Sequence, residues 1–223
     1  MILLANMRGI QPGAVTFVLA IALSPVFAQD PSKPLQSRAQ REFLKQLVDS
    51  AIEQTHHVVR YVPEYVGIPY PGGDVPADTG VCADVVIRAY RAAGVDLQKE
   101  VHEDMKGHFS LYPALQKWGQ RHTDASIDHR RVPNLMVFFS RHGNDLIISN
   151  RAEHYAPGDL VTWNLGGNLP HIGIVVDQKS ASGRHKVVHN IGQGPQMEDV
   201  LFDWKITGHY QYFGPESQQD QSQ

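Results

Sequence analysis

The chain has 223 residues, 42% of them hydrophobic, with 20 Lys and Arg against 23 Asp and Glu and a net charge of −3. A negative balance argues against a nucleic-acid binder, which would carry a basic stripe. A single cysteine excludes any disulfide within the chain.

The N-terminus reads MILLANMRGIQPGAVTFVLAIALSPVFAQD, an apolar run over 14–23 that follows Arg8 and precedes Val26-Phe27-Ala28. That run is shorter than the ~20 apolar residues of a spanning helix, and the small residues after it suit signal peptidase. Residues 1–28 are therefore expected to be a signal peptide cleaved after Ala28, sending the chain to the periplasm with no stable membrane insertion afterwards. The alternative is an uncleaved membrane anchor. Cleavage removes one charge, Arg8, leaving 19 bases against 23 acids and a net of −4. Polar, Pro- or Gln-rich segments at 29–37 (QDPSKPLQS) and 215–223 (PESQQDQSQ) read as a flexible linker and a disordered tail. Between them, 38–214 is enough chain for one core and shows no internal repeat.

A helix is expected over about 38–59, where Phe43, Leu44, Leu47, Val48, Ala51, Ile52 and Thr55 recur at helical spacing. Its His56-His57 pair reads as surface or core-edge histidine, because adjacent helical residues do not face one site. VPEYVGIPYPGGDVPADTG, dense in Pro and Gly, is a loop. A second helix is expected over 81–93, stopping at Gly94. Cys82, Val85, Val86, Ala89, Tyr90 and Ala93 form its buried face, with Arg88 and Arg91 on the other side. Cys82 falls in the first turn, where free N–H groups and the helix dipole favour an anion, so a lowered thiol pKa is expected. Asp78, Thr79 and Asp84 are each candidate caps. An exported lone thiol is an inert core residue, an intermolecular bridge or a nucleophile.

Polar groups crowd the stretch from Leu97 to Asn150: His102-Glu103-Asp104, His108, and Asp128-His129-Arg130-Arg131. Its apolar part, NLMVFF, is expected to be a buried strand or a short helix. DHRR has two readings. One is a solvated or salt-bridged turn. The other is a substrate clamp, in which an Arg fork holds a carboxylate and Asp84, Asp128, His129, Arg130 and Arg131 contact the substrate.

PGDLVTWNL opens with a turn into a strand; NLPHIGIVVD puts His171 at the head of the next, and HKVVHNIG puts His189 at the end of a third. If the last two form a hairpin turning around Ser180, residues 171 and 189 are equidistant from the turn and face each other across the strands. One imidazole then takes the thiol proton and the second orients it. Two unrelated strand histidines are the alternative.

The order VCADVV … PGDLVTW … HIGIVV … VVHNIG resembles the NlpC-type and CHAP-type papain-like cysteine hydrolases of bacterial cell walls. The longer pattern is similar to a bacterial family described as domain of unknown function 1287, on DTGVCADVVIRAYR, DLQKEVHEDM, IDHRRVPNL, PGDLVTWNL, HIGIV, VVHNIGQG and GHYQY, from Ala51 to Phe213. The resemblance implies an α+β, papain-like (NlpC-like) fold with N-terminal helices packed on a small antiparallel sheet. It implies Cys82 as nucleophile, His171 as base and His189 as third residue. The activity implied is peptidoglycan hydrolysis at amide bonds of stem peptides or cross-links, with peptidoglycan as partner and no cofactor. Two departures stand out. Val81-Cys82-Ala83 replaces the usual Asp-Cys-Ser, displacing the acid to Asp84, and 97–150 is an insertion between nucleophile and base. Two rival classes remain. A zinc endopeptidase would draw on His102, Glu103, Asp104, His108, Asp128, His129, His154, His171 and His189, although His-Glu-x-x-His is missing. A non-catalytic wall-binding or assembly module of the same fold is the other.

Overall fold

The computed structural model describes residues 36–215; the expectations for residues 1–35 and 216–223 lie outside it. Helix α1 (Arg38–Gln54) opens on a capping box. The Ser37 hydroxyl accepts the Gln40 N–H at 3.1 Å, and the Gln40 amide oxygen accepts the Ser37 N–H at 2.9 Å. The helix ends short of the expected residue 59. From Thr55 to His57 the N–H groups tighten onto carbonyls three residues back, and the Thr55 hydroxyl donates to Ile52 O at 2.7 Å. The chain then extends into β1 (Arg60–Tyr61), which pairs in parallel with β2 (Thr79–Gly80).

Next come α2 (Cys82–Ala92), which ends at a left-handed Gly94, α3 (Leu97–His108), α4 (Ala114–Trp118) and a 3-10 turn over Asp128–Arg130. NLMVFF lies in α5 (Val132–His142), whose first turn holds Pro133. Leu135, Phe138 and Phe139 are buried at helical spacing, which settles that stretch as helix.

Six strands follow: β3 (Asn144–Asp145), β4 (Leu160–Asn164), β5 (Pro170–Lys179), β6 (His185–Asn190), β7 (Pro195–Glu198) and β8 (Lys205–Gln211). They form one sheet in the order β3-β8-β4-β5-β6-β7, with every neighbouring pair antiparallel. The architecture is α+β, with helices on an antiparallel sheet. Strand alternation divides the core between the two faces. Ile172, Ile174, Val176 and Val188 join α1, α2 and α5 in the larger cluster. Val161, Trp163, Val175 and Val187 build a smaller one with Tyr155 and Leu201 on the opposite face. Among the described residues no helix is long and apolar enough to cross a membrane.

Candidate active site

Cys82 is the first residue of α2, and its N-cap, Val81, has no side-chain acceptor. Asp84 fills that role from within the helix: its carboxylate accepts the Val81 N–H at 2.7 Å. Arg130 then grips the same carboxylate through Nε at 2.8 Å and Nη2 at 2.9 Å, and both side chains are buried. The other two cap candidates are occupied elsewhere. Asp78 pairs with Arg60 on the surface, and the Thr79 hydroxyl donates to Pro76 O.

Cys82 is 5% exposed. Burial pushes the thiol up to about 11, against the pull of the Ile172, Ala83 and Cys82 N–H groups that bear on it. This corrects the expected lowering: the helix start supplies the N–H groups, but desolvation of the anion outweighs them. Contact with the Ile172 N–H has a simple origin. The β5–β6 ladder reaches only Ile174↔Val188 in this direction, so the pair is open beside residue 172.

His171 stands on β5 opposite Trp163 of β4, and His189 stands on β6. The expected hairpin forms, with a different register. Its turn centres on Ser182, closed by the Ser180 N–H to Arg184 O at 2.9 Å with Gly183 at φ +81, and a bulge follows between Val175 and Lys179. Continuing the pairing of Ile174 with Val188 places Gly173, rather than His171, opposite His189. The histidines are diagonal neighbours on one face, and their rings meet: His171 Nε2 lies 2.8 Å from His189 Nδ1. Gly173 makes this possible. A Cβ there would sit 2.6 Å from Val187 Cγ1 and 3.1 Å from His189 Cβ.

Three residues at this site carry no sequence signal of their own. Glu198 on β7 places Oε2 at 3.0 Å from His189 Nε2. Trp204 sets its ring edge-on to both imidazoles, with centroids 6.0 Å from each. Tyr61, paired with Gly80 on β2, has its hydroxyl pushed up to about 12 by burial, with the nearby Cys82 and Asp84 adding to the effect. Burial drives His171 down to about 3, helped by His189. His189 is also lowered by burial, which outweighs the opposing pull of Glu198 and Asp203. Both rings are neutral at pH 7.

Of the residues expected to form a clamp, Asp84, Asp128, His129 and Arg130 are all buried. The Arg130 fork already holds Asp84. Asp128 receives the Gln120 amide at 2.7 Å and the Asp124 N–H at 2.7 Å, and it lies 3.1 Å from His102 Nδ1. His129 is driven down to about 3, first by burial and then by Arg130 and Arg91, so it sits uncharged in the core. Arg131 is half-buried; it stacks 4.0 Å over the Trp118 ring and donates to the Gln120 side chain. Of the candidate zinc ligands, His108 pairs with Asp104, which His142 also meets, and His154 meets the Ser149 hydroxyl. Among the described residues no three His, Cys, Asp or Glu converge on a metal position.

A family model described as "Domain of unknown function (DUF1287)" matches residues 48–212. The chain is 52% identical over 167 residues to the "Uncharacterized protein YijF" of Escherichia coli (strain K12), covering 75% of this chain and 80% of that protein. Among solved structures it is similar to NlpC1 from Trichomonas vaginalis, with a TM-score of 0.42 and 15% identity over 81% of this chain; the match spans about half, 46%, of that protein. It is also similar to an N-acetylmuramoyl-L-alanine amidase from Bacteroides uniformis ATCC 8492, with a TM-score of 0.44 and 14% identity over 76% of this chain and 97% of the other.

Proposed function

The chain belongs to the DUF1287 family, and for it we propose a cysteine-dependent hydrolase of peptidoglycan amide bonds. One observation carries the reading. His171 is bonded through Nε2 to His189, and the N–H of its neighbour Ile172 bears on the buried Cys82 thiol, opposing the rise that burial causes. A nucleophile, a neutral base and an orienting group are the parts that acyl transfer requires.

In this reading Sγ attacks the amide carbon as the thiol proton passes to His171 Nδ1, the ring nitrogen left by the Nε2 bond to His189. The imidazolium returns that proton to the leaving amine as the C–N bond breaks, leaving an acyl group on Sγ. Water, losing a proton to His171, then cleaves the thioester and restores the thiol. With the thiol near 11 and His171 near 3, the resting pair is uncharged, so the proton moves during attack and not before it. The Cys82 N–H and the Tyr61 hydroxyl, which stays protonated, serve as oxyanion donors.

The substrate class rests on the segment resemblance to NlpC-type and CHAP-type wall hydrolases and on an N-terminus suited to export to the periplasm. Digestion of purified muropeptides, with the products weighed by mass spectrometry, tests it. Wild-type protein should release amide-cleaved fragments and Cys82→Ala none. An active Cys82→Ala variant, or intact muropeptides with the wild type, would sink the reading.

A further inference from the structure

We propose that Glu198 is a positioning residue: by accepting a hydrogen bond from His189 Nε2–H it fixes the tautomer of both histidines and leaves His171 Nδ1 as the proton acceptor. The inference rests on the hydrolase reading above. A neutral imidazole has one donor nitrogen and one acceptor, whereas an ionised carboxylate only accepts. Glu198 Oε2 lies 3.0 Å from His189 Nε2, so the His189 proton is on Nε2. His189 Nδ1 must then accept in the 2.8 Å bond between the rings, and His171 Nε2 must donate. The lone pair of His171 is left on Nδ1.

Without Glu198 the ring pair has no preference of its own. The reverse arrangement, with His189 Nδ1 donating to His171 Nε2, keeps one hydrogen bond between the rings and puts a proton on His171 Nδ1. That tautomer cannot receive the thiol proton. The other groups around the pair do not make this choice. Trp204 and Trp163 present ring faces and edges to the imidazoles. Asp203 is close enough to favour a charged His189, but Glu198 holds the ring proton. Burial of both histidines beside Trp204 keeps competing water from their shared bond, whereas the Glu198 side chain is 47% exposed and stays solvated.

Long-range 1H–15N correlation spectra of the folded protein report each ring's tautomer without substrate. Both histidines should appear as Nε2–H in the wild type. Glu198→Leu should place a proton on His171 Nδ1 in a substantial fraction of molecules. Glu198→Lys, which sets a donor where an acceptor stood, should do so in nearly all and serves equally if the Leu variant does not fold. Glu198→Gln should keep the wild-type tautomers, since its amide oxygen accepts the same bond. Muropeptide digestion should fall about 10–100-fold in the Leu variant, the scale on which outer partners of functional histidines act, and recover largely in the Gln variant. An unchanged Nε2–H signal at His171 in both the Leu and Lys variants overturns the proposal. Digestion that survives Cys82→Ala overturns the hydrolase reading instead and leaves the tautomer assignment standing.

Discussion

A thiol held near 11 has little thiolate at neutral pH, and this sets how Cys82 should behave as a reagent. Its alkylation by iodoacetamide should be slow at pH 7 and climb about tenfold per pH unit toward about 11; a plateau below the ~8.5 of free cysteine would contradict the burial argument. Removing the proposed nucleophile or the proposed base should abolish muropeptide digestion, so Cys82→Ala and His171→Ala are expected to be inactive with unchanged circular dichroism. His189→Ala should retain part of the rate, because an orienting group contributes less than the base it orients. Tyr61→Phe should lower kcat by about 10²–10³, the usual effect of deleting one oxyanion donor. The thiol and both histidines were legible as residue types at a helix start and on strand patterns. Glu198, Trp204 and Tyr61 were not, because strand pairing and a bend before β8, rather than any sequence motif, bring them to the site. Desolvation was equally hidden: helical spacing shows which face is buried, but not how deeply a first-turn sulfur is walled off.

The start of α2 and the 3-10 turn at Asp128–Arg130 are joined through a buried ion pair, and this decides what DHRR does. Losing one partner strands a buried charge, which costs about 3–5 kcal/mol. Arg130→Ala should therefore lower Tm by about 6–20 °C and lose activity in step with stability. A variant with wild-type Tm and a raised KM would restore the clamp reading. The β5–β6 pair makes a different demand. Gly173→Ala pushes a methyl into Val187 and His189, so the ring-to-ring bond should break and digestion should fall well before Tm does. Nothing in the spacing of 171 and 189 gave the two-residue offset, since a turn and a bulge between them share the slack. The strands themselves were readable from alternation and flanking turn residues. NLMVFF was open between strand and helix, because a run that short has no clear period.

For the molecule as a whole, the buried neutral histidines set an acid limit to stability. His129 and His171 are held near 3 when folded but titrate at about 6.5 when unfolded, so below about 6.5 the unfolded chain takes up protons that the folded chain refuses. Stability should fall as pH drops from about 6.5 toward about 3. Asp104, held low by Arg141, Tyr112 and His142 despite its own burial, adds to the loss, while Asp128, raised by burial, opposes it. At the alkaline end Cys82 acts in the reverse sense: its thiol ionises earlier in the unfolded chain than in the folded one, and stability declines as pH rises through that range. Thermal unfolding should thus give its highest Tm between about 6.5 and 9, with the acid limb shallower in His129→Gln; a flat Tm from pH 7 to pH 5 would refute the account. Mass spectrometry of the exported protein should find Gln29 at its N-terminus, and a chain still carrying Met1 would refute that. The helix-on-sheet architecture was legible because hydrophobic periodicity changes from helical to alternating along the chain.

A buried thiol that is protonated at rest is also a poor target for peroxide and for stray disulfides, since both react with the thiolate. A chain with one cysteine has no second thiol of its own to resolve a sulfenic acid or reduce a mixed disulfide. On the proposed reading, a nucleophile kept dormant until substrate arrives would give up idle reactivity in exchange for a long working life in the oxidising compartment to which export would send it.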